Sequence, residues 1–150
     1  MQYKKADFLK DVIISIRGVQ VDEPDNESVE LVTDGCYWFN DGRARISYSE
    51  SEVTGMPGTE TTFNVSPGEI ILSRRGTLTS DMVFREGYKD TFLYDTPYGS
   101  AMLGLDTHRI SCRLDEHGGD LEIDYVINID HSVVGRNRFK INVRECTEGE

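Results

Sequence analysis

The stretch "DLEIDYVINID", residues 120–130, alternates apolar and polar side chains: Leu121, Ile123, Tyr125, Ile127 and Ile129 hold the odd positions, and Glu122, Asp124, Asn128 and Asp130 the even ones. A period of two puts the first set on one face of an extended chain and the second on the other, so the stretch reads as a half-buried strand. "RFKINVRE", residues 138–145, repeats the pattern with Phe139, Ile141 and Val143 inward and Lys140, Asn142 and Arg144 outward. Between them, "HSVVGRN" (131–137) predicts the loop of an antiparallel hairpin.

Working outward, the same period recurs in segments of about five to ten residues, and little of the chain carries a helical period. Strands are expected at 12–21, 28–33, 37–40, 43–49, 60–65, 69–75, 79–85, 88–94 and 100–114. The turns between them are "DEPDNE", "NDG", "TGMPG", "SPG", "RG", "EG", "TPYG" and "EHGGD". Short turns make successive strands antiparallel neighbours. A meander of about eight to ten strands would leave two edges open to foreign pairing, and closure into a barrel removes them. The expected fold is all-β: a single antiparallel up-and-down β-barrel spanning 1–150, with an interior either filled by side chains or able to hold one small ligand.

"YDTPYGSAMLGLDTHRI" (94–110) refines the picture. Thr96-Pro97 followed by Gly99 is corner chemistry, because proline lacks a donor and holds its predecessor extended. Beyond the corner, Ala101, Leu103 and Leu105 share one parity while Ile110, Cys112 and Leu114 share the other. The alternation slips once, which predicts a bulge near Asp106 to Arg109.

Composition excludes several classes. With 27 acidic against 16 basic residues the formal charge is -11, so the surface repels phosphate backbones and anionic membranes; neither nucleic acid nor membrane is an expected partner. Without a signal-peptide core or a membrane-length apolar run, the expected location is cytoplasmic. Cys36, Cys112 and Cys146 are odd in number and lack C-x-x-C spacing, which fits reduced thiols. Cys112, at inward parity, reads as a small core residue.

Four segments carry a family resemblance: "ISYSESEVTGMPGTETTFNV", "ILSRRGTLTSDMVFREG", "YDTPYGSAMLGLDTHRI" and "GGDLEIDYVINI", in that order. Through them the chain resembles the YwiB-like family of uncharacterised bacterial proteins, small barrels grouped with the calycins. The matching positions are Tyr48, Glu50, Arg74, Gly76, Phe84, Tyr94, Gly99, Thr107 and Tyr125. The resemblance implies a calycin-like, lipocalin-like barrel and carries no activity with it. Secreted lipocalins have a Gly-x-Trp near the first strand, whereas the single tryptophan here sits in "GCYWFN", so ligand carriage does not follow by analogy.

Polar residues at inward parity mark where a site could lie. Glu50 shares parity with Ile46 and Tyr48, and Arg74 with Ile70 and Leu72. Either charge buried alone would be costly, so each needs the other or a ligand, and the planar guanidinium suits a carboxylate. Tyr48, Phe84, Tyr94 and Tyr125 supply an aromatic wall with hydroxyl handles, and the resemblance adds Thr107 to this set. Two readings stay open: an ion pair that plugs the barrel mouth, or a mouth that binds a small amphipathic or anionic ligand. The alternative for the whole protein is an interaction module using its acidic outer surface or rim, and a homodimer or another protein partner is compatible with either.

Enzyme readings have the least support. No Gly-x-Ser-x-Gly or phosphate-binding glycine loop is present, and no catalytic residue is expected. His108 and Cys112 are four apart, about 13 Å along a strand and too far to share one metal without a bulge; His117 could join them only then. His131 reads as a solvated turn residue. No metal and no cofactor are expected.

Overall fold

The computed structural model of the chain describes residues 10–20, 28–52, 56–130 and 132–146. Its strands are β1 (Lys10–Gln20), β2 (Ser28–Asn40), β3 (Arg43–Ser49), β4 (Thr59–Ser66) and β5 (Glu69–Gly76). They continue as β6 (Ser80–Phe84), β7 (Lys89–Thr96), β8 (Gly99–Asp115), β9 (Gly118–Ile129) and β10 (Ser132–Glu145). All are antiparallel and lie in one sheet of order β6-β5-β4-β3-β2-β1-β10-β9-β8-β7. Neighbours in that order are consecutive in the chain except β1 and β10, whose nine-residue register runs from Val12↔Glu145 to Gln20↔Asn137. The fold is an all-β, nearly closed barrel, as the alternation implied.

Closure is incomplete between β6 and β7. There the only pairing among the described residues is the Thr79↔Asp95 bridge, with hydrogen bonds of 3.0 Å from Thr79 N to Asp95 O and 3.1 Å in return. Lower on the same seam, the turn after β6 docks onto β8: Gly87 N donates to Thr107 O at 2.9 Å and Thr107 N to Tyr88 O at 3.1 Å. The β8–β9 register shifts between Thr107 and Arg109, where the sequence placed its bulge. Beyond the bulge β8 outruns β7, and the freed Ile110 N–H donates to the Glu86 carboxylate at 2.9 Å.

The structure corrects four local expectations. Residues 28–33 and 37–40 are one strand, because Asp34, Gly35 and Cys36 stay in register with Ile13, Val12 and Asp11. Gly35 permits this: a Cβ there would lie 2.5 Å from the Ser47 carbonyl oxygen and would also strike Ile14 Cδ1, so only glycine lets β3 and the Ile14 side chain approach so closely. "SVVGRN" is strand rather than loop; β10 starts at Ser132, with a bulge between Val133 and Gly135 absorbing the irregular parity. Cys112 is exposed rather than core, since it faces the part of β8 that β7 does not cover. Tyr94 keeps the inward parity of Phe92 but is 38% exposed near the end of the edge strand β7. Residues 21–27 and His131, where a strand end, a turn and a solvated histidine were expected, lie outside the described residues.

The interior is layered by register. Ile46, Phe63, Leu72 and Met82 form one cross-strand row over β3–β6, and Ala44, Val65, Ile70 and Phe84 form the next. Val12, Ile14, Leu121, Ile123, Ile141 and Val143 face them from the opposite wall, all buried. At the end of the barrel holding the β2–β3 and β8–β9 turns, Tyr37 Oη donates to the Asp115 carbonyl at 2.6 Å. Lys10 Nζ there reaches the Glu116 carbonyl at 2.7 Å and Glu145 Oε2 at 2.6 Å. That hydrogen bond from Lys10, with His117 beside it, holds the Glu145 carboxyl below the usual carboxylate range.

Candidate functional site

At the opposite end the innermost row changes character. Tyr48, Thr61, Arg74 and Ser80 are direct cross-strand neighbours on β3, β4, β5 and β6, one register step above the Ile46 row. Each faces inward because each continues the parity of an apolar residue two positions away: Ile46, Phe63, Leu72 and Met82 respectively. Glu50, just past the end of β3, completes the set; its backbone N–H donates to Thr59 O at 2.8 Å, fixing the chain as it leaves the sheet. The result is a polar shelf resting on an apolar core.

Glu50 is the deepest charge, with a side chain only 1% exposed. Its Oε2 accepts from the Thr61 hydroxyl and lies 3.9 Å from Arg74 Nε, an ion-pair distance longer than a hydrogen bond. Among the described residues, Glu50 Oε1 and Arg74 Nε have no hydrogen-bond partner, nor do the buried hydroxyl oxygens of Ser80 and Thr107. Arg74 keeps 14% of its side chain accessible. The shelf therefore holds a guanidinium whose fork is not used up by its own carboxylate. Unpaired buried donors and acceptors of this kind are unusual in folded proteins.

The far wall brings Tyr125 and Thr107, cross-strand neighbours on β9 and β8, to the same interior. Tyr125 meets Phe84 edge-on with ring centroids 5.2 Å apart. Thus Tyr48, Glu50, Arg74, Phe84, Thr107 and Tyr125 all project into the barrel, while Tyr94 is exposed and stands apart. Sequence reasoning missed Thr61 and Ser80; their parity with Phe63 and Met82 was the available signal. His108 stands outside at the bulge, its Nε2 3.8 Å from Asp106, and no group of three potential metal ligands is assembled among the described residues.

Burial, then the Glu50 charge, raises the Tyr48 phenol above its ordinary value, and burial likewise raises Tyr125 against the opposing pull of Arg74. Burial, helped by Asp115, raises Tyr37 as well. An acid whose pKa is raised on folding is held neutral by the fold, so the unfolded chain ionises first. Stability is then unaffected below the free tyrosine pKa of about 10 and falls as pH rises above it. In an alkaline titration followed by tyrosinate absorbance, these three phenols are expected to ionise only together with unfolding. Their titration alongside exposed phenols in still-folded protein would contradict the burial described here.

Comparison with known proteins fits this architecture. A family model described as a domain of unknown function, DUF1934, matches residues 14–141. The uncharacterized beta-barrel protein YwiB of Bacillus subtilis (strain 168) is 26% identical over 118 residues, which is 79% of this chain and 82% of that protein. The crystal structure of the ywiB protein from Bacillus subtilis superposes with a TM-score of 0.81 at 23% identity, covering 93% of this chain and 94% of that one. The likeness in structure is one of fold.

Proposed function

The chain belongs to the DUF1934 family, a domain of unknown function, and on that premise we propose that it is a binding barrel for a small amphipathic ligand with an anionic group. Arg74 takes the anionic group, and Tyr48, Phe84 and Tyr125 flank the apolar part. One observation carries this reading: the Arg74 guanidinium is largely buried, 3.9 Å from its carboxylate, and its Nε is without a hydrogen-bond partner among the described residues. A planar cation with donors to spare in a low-dielectric site favours a carboxylate or phosphate group. The calycin likeness of the sequence motifs belongs to the same proposal. A cytoplasmic setting does too, supported by the free thiols Cys36, Cys112 and Cys146. No catalytic step is proposed.

The test is thermal unfolding with octanoate, decanoate and inorganic phosphate, alongside native mass spectrometry. A ligand at a hundred times its dissociation constant adds about 2.7 kcal/mol and a clear rise in Tm. We expect a carboxylate amphiphile to give that rise in the wild type, and Arg74→Lys, which keeps the charge but loses the fork, to lose most of it. An absent rise, or one that survives intact in Arg74→Lys, would overturn the proposal.

A further inference from the structure

Exposed large apolar side chains are concentrated on one part of the barrel wall. Of the nine such residues described, all but Val32 fall between Tyr88 and Val134. Leu93 (48% exposed) and Met102 (62%) are directly paired on the outer face of β7 and β8. One step along, Thr91, Gly104, Asn128 and Val133 form the next outward row across β7–β10, with the Asn128 side chain lying against Gly104. That row lines an outer groove of about 800 Å³, with the buried Val126 also in its lining. Met102 therefore protrudes two positions from a hollow on its own strand.

Charges of both signs stand along the same strands, with Asp90 and Asp106 lining the groove beside Lys89. Lys89 and Arg136 line one end of the groove, and among the described residues neither has an ion-pair partner. Toward the other end stand the carboxylates of Asp130 and Asp95, the latter also accepting from Ser100 Oγ at 2.6 Å.

We propose that this face binds a second copy of the chain, face to face and with strands antiparallel, about a two-fold axis passing near Leu103. That operation sets each Met102 over the groove beside the other copy's Gly104. It also carries the row of Lys89, paired with Asp106, onto the row of Asp95, paired with Ser100. Because the axis runs across the strands, β7 faces β7, and Lys89 of each copy meets Asp95 of the other twice per interface. One patch thus supplies knob, hollow, cation and anion for an isologous contact. A partner of unrelated sequence would have to supply all four independently. The contact leaves Arg74 untouched, so it stands or falls independently of the binding-barrel reading.

Sedimentation equilibrium of the full chain tests it. The wild type is expected to dimerise below about 100 µM, the range of a weak but specific association. Lys89→Glu and Asp95→Lys should each weaken the dimer about tenfold, and the double variant should return to within about threefold of wild type, because the pair is re-formed with its signs exchanged. Met102→Glu should abolish dimerisation with the melting temperature unchanged, since Met102 is exposed. A wild type that stays monomeric at about 100 µM, or a double variant as weak as the two single losses combined, would overturn the proposal.

Discussion

Replacing Arg74 with alanine is expected to cost the barrel about 3–5 kcal/mol, because it leaves a carboxylate that is 99% withdrawn from water without its counter-charge. The Thr61 hydroxyl still donates to Glu50, but one neutral donor does not replace a guanidinium. The measurement is the urea midpoint at constant m-value. Replacing both partners, as Glu50→Leu with Arg74→Met, should recover most of the loss, since a buried ion pair exchanged for apolar groups of similar volume is often neutral or stabilising. A single-variant cost below about 1 kcal/mol would mean that water reaches Glu50 when Arg74 goes. It would also remove the electrostatic tension on which the proposed ligand site depends.

Truncating Phe84 to alanine should cost a comparable amount, about 3–5 kcal/mol, from lost apolar burial and the cavity left behind. Phe84 is fully buried, on the short edge strand β6, and its ring reaches across the interior to Tyr125. Strand pairing across the β6–β7 seam is slight, a single bridge at Thr79 just before β6. Side-chain packing across the lumen is what keeps β6 against the far wall, so near-ultraviolet circular dichroism should weaken along with the unfolding midpoint. Tyr94→Ala supplies the contrast. At 38% exposure, with no ring partner among the described residues, it should change stability by no more than about 0.5 kcal/mol.

The fold was legible in the sequence because a half-buried strand writes its period directly into residue order. Leu121 and Ile123 are buried as their alternation required, and the parity slip after Leu105 corresponds to a real register shift at Thr107. What misled was local turn chemistry. Residues 34–36, left between two expected strands, run through as one strand in which Gly35 serves a close approach of β3, and "SVVGRN" suggested a loop but forms a bulged strand. Within the site, parity placed Glu50 and Arg74 on one inward face, whereas the direct adjacency of Tyr48, Thr61, Arg74 and Ser80 depends on register across four strands. Register is set by turn lengths and by bulges, and a single strand's sequence does not carry it. Cys112 illustrates the same limit: its parity is inward, but its exposure was decided by where β7 begins.

The one-bridge junction between β6 and β7 has a bearing on how the chain assembles. Joining β1 to β10 encloses almost the whole described chain, whereas the Thr79–Asp95 bridge encloses only a short local segment. Loop-closure entropy grows with the logarithm of the enclosed length, so the larger entropic debt falls on a ladder with nine registered pairs able to offset it. The weak contact falls where closing is cheapest. A barrel arranged this way can open at its β6–β7 seam without breaking the long-range pairing of β1 with β10.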